Sequence, residues 1–189
     1  MMLGYMCEAI EIIEGCWEFA YLIPEVRSNL VYAKMGAKEP KDVLAIDGRI
    51  TVVNEMPHAS GRPRFGASSH MARLIITLHE HDGSIRAGIN IACFPKLISH
   101  LEDAAGLSDV AIVKIDRSTE PSKTKKATEG SMSWKAREAI RLAGGKVPWI
   151  FYDTGDMGKE PIATIVGENS VQVADWVRRI AQGWVGLHR

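Results

Sequence analysis

Apolar residues along this chain recur at two spacings, and the switches between them lay out its elements. From Glu8 to Tyr21, Ile10, Ile13, Trp17 and Ala20 or Tyr21 return every three or four residues, which predicts an amphipathic helix. "IPE" should end it, because the residue before Pro24 is pushed out of helical geometry. "SNLVYAK" (28–34) reads as a strand. "EPKDVLAI" (39–46) reads as a short helix with Pro40 in its first turn, and "GRITVVN" (48–54) as another strand. "EMPHASGRPRFGASS" (55–69), rich in Gly, Pro and Ser, predicts a loop.

The best-marked helix follows, with Met71, Leu74, Ile75 and Leu78 on one stripe and Ser68 or Ser69 as the natural N-cap. "SIRAGINIACF" then alternates: Ile85, Ala87, Ile89, Ile91 and Cys93 share one face, Arg86 and Asn90 the other. A helix over Pro95–Ala105 and a strand over Asp109–Ile115 come next. "DRSTEPSKTKKATEGSMS" is a polar stretch of the kind that forms functional loops. The pattern resumes with a helix (Trp134–Leu142), the strand "VPWIFYD", the turn "TGDMGKE", a strand (Pro161–Val166) and a helix from Asn169 with Val171, Ala174, Val177 and Ile180 or Ala181 as its stripe. Strands and helices alternate throughout, so the class is α/β, and the short turns around "TGDMGKEP" make the sheet mixed.

Composition narrows the function classes. The 189 residues suit one domain with a substantial core. Lys plus Arg and Asp plus Glu number 23 each, so no net field draws in a nucleic acid or a membrane surface. No apolar run approaches a bilayer span. The start lacks the pattern of a secretory signal, and Cys7, Cys16 and Cys93 match no zinc spacing; reduced thiols in a cytoplasmic protein are expected.

The candidate chemistry gathers around phosphate. A helix N-terminus offers unpaired N–H groups and a positive dipole end. Gly66 lets a ligand come close to backbone there, Ser68 and Ser69 add hydroxyls, and His70 stands in the first turn. The same residues would also serve as an ordinary capped helix with a surface histidine. Arg49, Arg62, Arg64 and Arg86 could supply charge-assisted contacts to phosphate oxygens, and Arg86 and Asn90 would look into one site. "DTGDMGKEP" places Asp153, Asp156, Lys159 and Glu160 in a Gly-bearing turn, where carboxylates beside a diphosphate could hold Mg²⁺. His79 and His81 splay at the end of a helix and make a poor metal pair. Phosphate-loop, dinucleotide-fingerprint and nucleophile-elbow motifs are all missing from the sequence.

Five separated stretches, "IPEVRSNLVYAKMGAKEPKDVLAIDGRI", "ASGRPRFGASSHMARLI", "IRAGINI", "DRSTEP" and "YDTGDMGKEP", resemble in order the ThiN domain of thiamine-phosphate synthases. The resemblance runs from about residue 18 to residue 182, nearly the whole chain. It implies one α/β domain, a three-layer α/β/α sandwich around a mixed sheet, class II aldolase-like. It implies joining hydroxymethylpyrimidine diphosphate to hydroxyethylthiazole phosphate, giving thiamine monophosphate and diphosphate. By the same resemblance Arg49 (in "DGRI") and His70 (in "GASSHMA") are catalytic. Gly66, Ser68, Ser69, Arg86, Asn90, Asp153 and Lys159 are the expected substrate-binding residues. Mg²⁺ is the expected cofactor, its ligands open, and the two phosphorylated substrates are the expected partners. The alternative within the family is a thiamine-phosphate sensor without catalysis. The domain is often fused behind a kinase or a DNA-binding segment, for neither of which the sequence has room, so a stand-alone synthase and a domain of a longer protein are both open. Trp17, Trp149 and Trp176, more large apolar side chains than a small core needs, suggest a homodimer, although buried core positions would explain them equally.

Overall fold

The computed structural model describes residues 1–103, 112–126, 128–156 and 158–188. Its centre is a seven-stranded mixed sheet in the order β5-β2-β1-β6-β9-β8-β7. The strands are β1 (Leu30–Ala33), β2 (Val43–Ile46), β5 (Pro63–Phe65), β6 (Ala87–Ala92), β7 (Ile112–Ile115), β8 (Ile150–Asp153) and β9 (Ile162–Gly167). Every pairing is antiparallel except β7 with β8. β3 (Ile50–Val53) and β4 (Met56–Ala59) form a separate hairpin.

Helices cover both faces. One face carries α1 (Met2–Glu14), α3 (Pro95–Asp103) and α6 (Ser170–His188); the other carries α2 (His70–His81) and α5 (Thr128–Leu142). This is the expected three-layer α/β/α sandwich. Double coverage explains why β1, β2 and β8 are buried at every residue, and why β1 and β2 read as unbroken apolar runs. In α2 the expected stripe of Met71, Leu74, Ile75 and Leu78 is buried as a unit. In α6 the expected positions Ala174, Val177, Ile180 and Ala181 are buried, with Val171 partly so.

Several sequence expectations give way to specific local effects. The first helix spans Met2–Glu14, and Gly15 ends it; Trp17–Leu22 continue as a 3₁₀ segment. Pro40 starts only a 3₁₀ turn, Pro40–Asp42, with Glu39 and Asp42 in a capping box. The following "VLAI" has an apolar cross-strand neighbour on each side and becomes β2. The loop predicted over 55–69 contains β4 and β5. Asn54 and Glu55 both take positive φ, +50° and +63°, as a two-residue hairpin turn requires, and Glu is an unusual residue there. Ile85 precedes β6 and packs on the α2 side, opposite Ala87, Ile89 and Ile91. The polar stretch over 116–133 is mostly helical: a 3₁₀ turn Arg117–Thr119, α4 (Ser122–Lys126) and the start of α5. The predicted Pro95–Ala105 helix starts at Pro95 as expected, while its last two residues and the start of the Asp109–Ile115 strand lie outside the described residues. Cys7, Cys16 and Cys93 are free thiols.

Candidate active site

Strand alternation creates the site. On the α2/α5 face, the positions two residues from apolar Val31, Phe151 and Val166, towards one end of the sheet, are polar: Asn29, Asp153 and Thr164. Register puts Asn90 beside Thr164, and Asp153 beside Ile162. The sheet face therefore turns polar where β1 and β9 begin and β8 ends. A cleft of about 370 Å³ opens there, between this polar patch and the first turns of α2 and α5.

Four cations line it, Arg49, Arg117, Lys135 and Lys159, against two carboxylates, Asp153 and Glu160. Both carboxylates are committed. Asp153 Oδ2 meets Lys135 Nζ at 2.6 Å and Arg117 Nη1 at 4.0 Å, while Oδ1 accepts from Gly155 N at 3.0 Å. Glu160 accepts from Glu25 N at 2.9 Å and from Val26 N at 3.1 Å. Arg117 is buried; its Nη2 donates to Ser131 Oγ at 3.2 Å and pairs with Glu120 at 3.3 Å. Those commitments leave Arg49 and Lys159, both exposed, as the cations readiest to take an anion.

Arg49 sits at the turn from β2 into the hairpin with φ +71°, and its Nη1 donates to the carbonyl of Val26. His70 begins α2 at the cleft, and buried Ser68 leads into it. Burial first, then the positive charges of Arg49 and Arg73, hold the His70 imidazole below its ordinary 6.5. At neutral pH it is an uncharged ring with one N–H to donate and one nitrogen to accept.

Of the nine sequence-predicted site residues, the structure brings together Arg49, His70, Ser68, Asn90, Asp153 and Lys159 on one cleft. Asn90 is there as a brace: Oδ1 accepts from Asn29 N at 2.8 Å and Nδ2 donates to Arg27 O at 2.9 Å. Three others lie elsewhere. Gly66 serves the turn after β5, with φ +77° and its N–H on Val43 O. Ser69 occupies the N-cap position but makes no capping bond; its hydroxyl accepts from Arg73. Arg86 precedes β6 and is four residues from Asn90, about 13 Å along a strand. Its Nε donates to Ala33 O at 3.0 Å and its guanidinium lies over the Tyr32 ring. Arg62 and Arg64 are also outside the cleft, Arg64 paired with Asp47 at 3.2 Å. His79 and His81 are each engaged with backbone groups.

Sequence reasoning missed Arg117 and Lys135 as site residues, and had Glu160 only as a turn carboxylate for Mg²⁺. Arg117 stood in a quoted motif, but its stretch read as a loop. Lys135 lies on the buried side of α5 between Met132 and Ala136, and a lysine there signals a buried partner.

The Mg²⁺ expectation meets this donor set. Among the described residues no group of three His, Cys, Asp or Glu is placed to hold a metal ion. Asp153 and Glu160 are taken by N–H and ammonium donors, so the residues present do not fit a protein-held cation. Among the described residues, no helix is long and apolar enough to cross a membrane.

Comparison with known proteins identifies the family. Residues 5–179 match the family model "Thiamine-phosphate synthase ThiN". The thiamine-phosphate synthase ThiN of Methanothermobacter thermautotrophicus is 38% identical over 179 residues, 95% of this chain and 92% of that protein. The bifunctional thiamine biosynthesis protein ThiDN of Methanocaldococcus jannaschii is 35% identical over 84% of this chain and 36% of its own length. The crystal structure of the C-terminal domain of a phosphomethylpyrimidine kinase superposes with a TM-score of 0.83 at 29% identity, covering 95% of each chain. A family match over nearly the whole length and a curated synthase of almost the same size place the chain in the ThiN family of thiamine-phosphate synthases.

Proposed function

We propose that the chain is a thiamine-phosphate synthase, joining hydroxymethylpyrimidine diphosphate to hydroxyethylthiazole phosphate with release of diphosphate. The observation that carries this reading is the meeting of Arg49 and His70, 21 residues apart in sequence, with the distant Lys159 on one cleft in a chain of this family. The cleft's volume suits a small-molecule site. Val26, Met71, Met132 and Ile162 supply apolar wall for the two rings.

In this reaction the carbon–oxygen bond at the pyrimidine methylene breaks, and its electron pair leaves with the diphosphate. The thiazole nitrogen gives its lone pair to the same carbon, forming the carbon–nitrogen bond and leaving the ring as a thiazolium. That nitrogen carries no proton, so no general base is required. Negative charge builds on the departing oxygen, and preorganised donors aimed at it supply the largest catalytic contribution. Arg49 and Lys159 fill that role, with the unpaired N–H groups at the start of α2 behind them. His70, neutral at working pH, donates its N–H to a phosphate oxygen and orients the leaving group. We place Mg²⁺ with the diphosphate that it accompanies in solution, since the cleft carboxylates are already engaged.

A sensor without catalysis finds no support in the family and relatives matched. Of the tryptophans behind the homodimer expectation, which we keep as a proposal, Trp149 packs against Trp176 with ring centroids 4.5 Å apart and Trp17 lies edge-on to Tyr21.

The test is direct. Purified protein incubated with both substrates should form thiamine monophosphate. Arg49→Ala and His70→Ala should each lower turnover at least about tenfold, about 1.4 kcal/mol of barrier. Absence of product from the wild type, or wild-type rates in both variants, would overturn the reading.

A further inference from the structure

Arg49 is exposed and its backbone is in the left-handed region, so its own torsions do not fix where its guanidinium points. What fixes it is the carbonyl of Val26. Val26 belongs to the tight turn Pro24–Arg27, closed by Arg27 N on Pro24 O at 2.8 Å, with Arg27 at φ +66°. A turn in that conformation holds its place only if something outside it does the holding.

Two groups do. Asn90 Nδ2 takes the Arg27 carbonyl from the sheet side. From the other side the Glu160 carboxylate receives two N–H groups, Glu25 N at 2.9 Å and Val26 N at 3.1 Å. Charge-assisted bonds of this kind are among the stronger hydrogen bonds. Glu160 is fixed in turn. The β8–β9 turn that carries it is closed by Asp156 and Lys159 pairing through backbone at 2.8 and 3.1 Å, and Gly155 N is tied to Asp153. A continuous path therefore runs from Asp153 through the β8–β9 turn to Glu160, then to the Glu25–Val26 amides, then to Arg49.

We propose that Glu160 is a positioning residue for Arg49: by holding the Glu25–Val26 amides it sets the carbonyl that aims the guanidinium into the cleft. It touches no substrate in this role. Its carboxylate is spent on the two amides, and its effect on an anion passes through the cation it orients. The inference rests on the synthase reading for the identity of that anion, a diphosphate, but not for the geometry.

A double-mutant cycle on the whole chain tests it. Glu160→Ala should lower kcat/KM for the pyrimidine diphosphate at least about tenfold, leaving the KM for the thiazole phosphate within about twofold. The Arg49→Ala/Glu160→Ala pair should fall no more than about twofold below Arg49→Ala alone, because a residue acting through Arg49 has nothing left to act on. Glu160→Gln, which keeps one acceptor oxygen, should recover part of the loss, and it replaces Glu160→Ala in the cycle should that variant not fold. Losses that multiply in the double variant, or wild-type turnover in Glu160→Ala, would overturn the proposal. Binding of inorganic pyrophosphate, measured calorimetrically on the same four proteins, separates it from the function reading. If the wild type makes no thiamine monophosphate, the synthase reading falls, and the same non-additivity in pyrophosphate affinity still decides the role of Glu160.

Discussion

Replacing Lys135 by Met tests whether the cleft wall is built on a buried ion pair. The side chains of Lys135 and Asp153 are 3% and 5% exposed, and their charged atoms lie 2.6 Å apart. Met keeps the length of the stem and its packing near Phe151 while deleting the ammonium. The carboxylate then stays buried without its main partner, and breaking such a pair costs about 3–5 kcal/mol. Two contacts survive, Gly155 N at 3.0 Å and Arg117 at 4.0 Å, which puts Lys135→Met at the lower end, about 3 kcal/mol. Urea unfolding followed by tryptophan fluorescence reads this out. With a slope of about 2 kcal/mol per M, the midpoint should fall by about 1.5 M. Lys135→Met/Asp153→Asn removes the orphaned charge yet keeps an acceptor for Gly155 N, and should regain at least about half of the loss. A single variant within about 0.5 kcal/mol of wild type, or a double variant no more stable than the single, would refute the buried-pair account.

Other consequences can be checked on the same protein. Gly155 and Gly158 both have positive φ, +75° and +73°, but a Cβ on Gly155 would lie 2.4 Å from Lys159 O, while one on Gly158 meets nothing within 4 Å. Gly155→Ala should therefore be less stable than Gly158→Ala by at least about 1 kcal/mol, with weaker pyrophosphate binding because the turn carries Lys159; equal costs would contradict the turn geometry. NMR titration of His70 should give a midpoint below 6.5, moving up in Arg49→Ala but not fully restored, since burial is the larger cause. The unfolded chain takes the proton first, so acidification through 6.5 removes stability at this position, and His70→Ala should flatten that part of the profile.

How legible all this was in the sequence depended on the range of the forces involved. Helix stripes such as Met71 to Leu78 and the alternation of Ala87, Ile89 and Ile91 are local, and they read correctly. β2 and β4 did not, because Pro40 and Pro57 send a local signal that cross-strand pairing overrides. The family pattern picked out Arg49 and His70, and the cleft brings them together. Arg86 failed for a geometric reason: sharing a strand's polar face with Asn90 says nothing about which end of the strand the site occupies. Glu160 was visible only as a turn carboxylate that could hold Mg²⁺, since its partners Glu25 and Val26 lie 135 and 134 positions away.

That separation makes the cleft a property of the finished chain. Its wall draws on residues from Val26 to Thr164, and the Glu160 clasp joins the β8–β9 turn to the segment before β1, two parts of the chain more than 130 residues apart. A partly folded chain with its helices formed would have no cleft, and a substrate has little to recognise before folding completes. Ligand binding should then tighten the whole domain together, by about 2.7 kcal/mol at a hundred times Kd, so that substrate acts as a proofreader of the fold as well as its purpose.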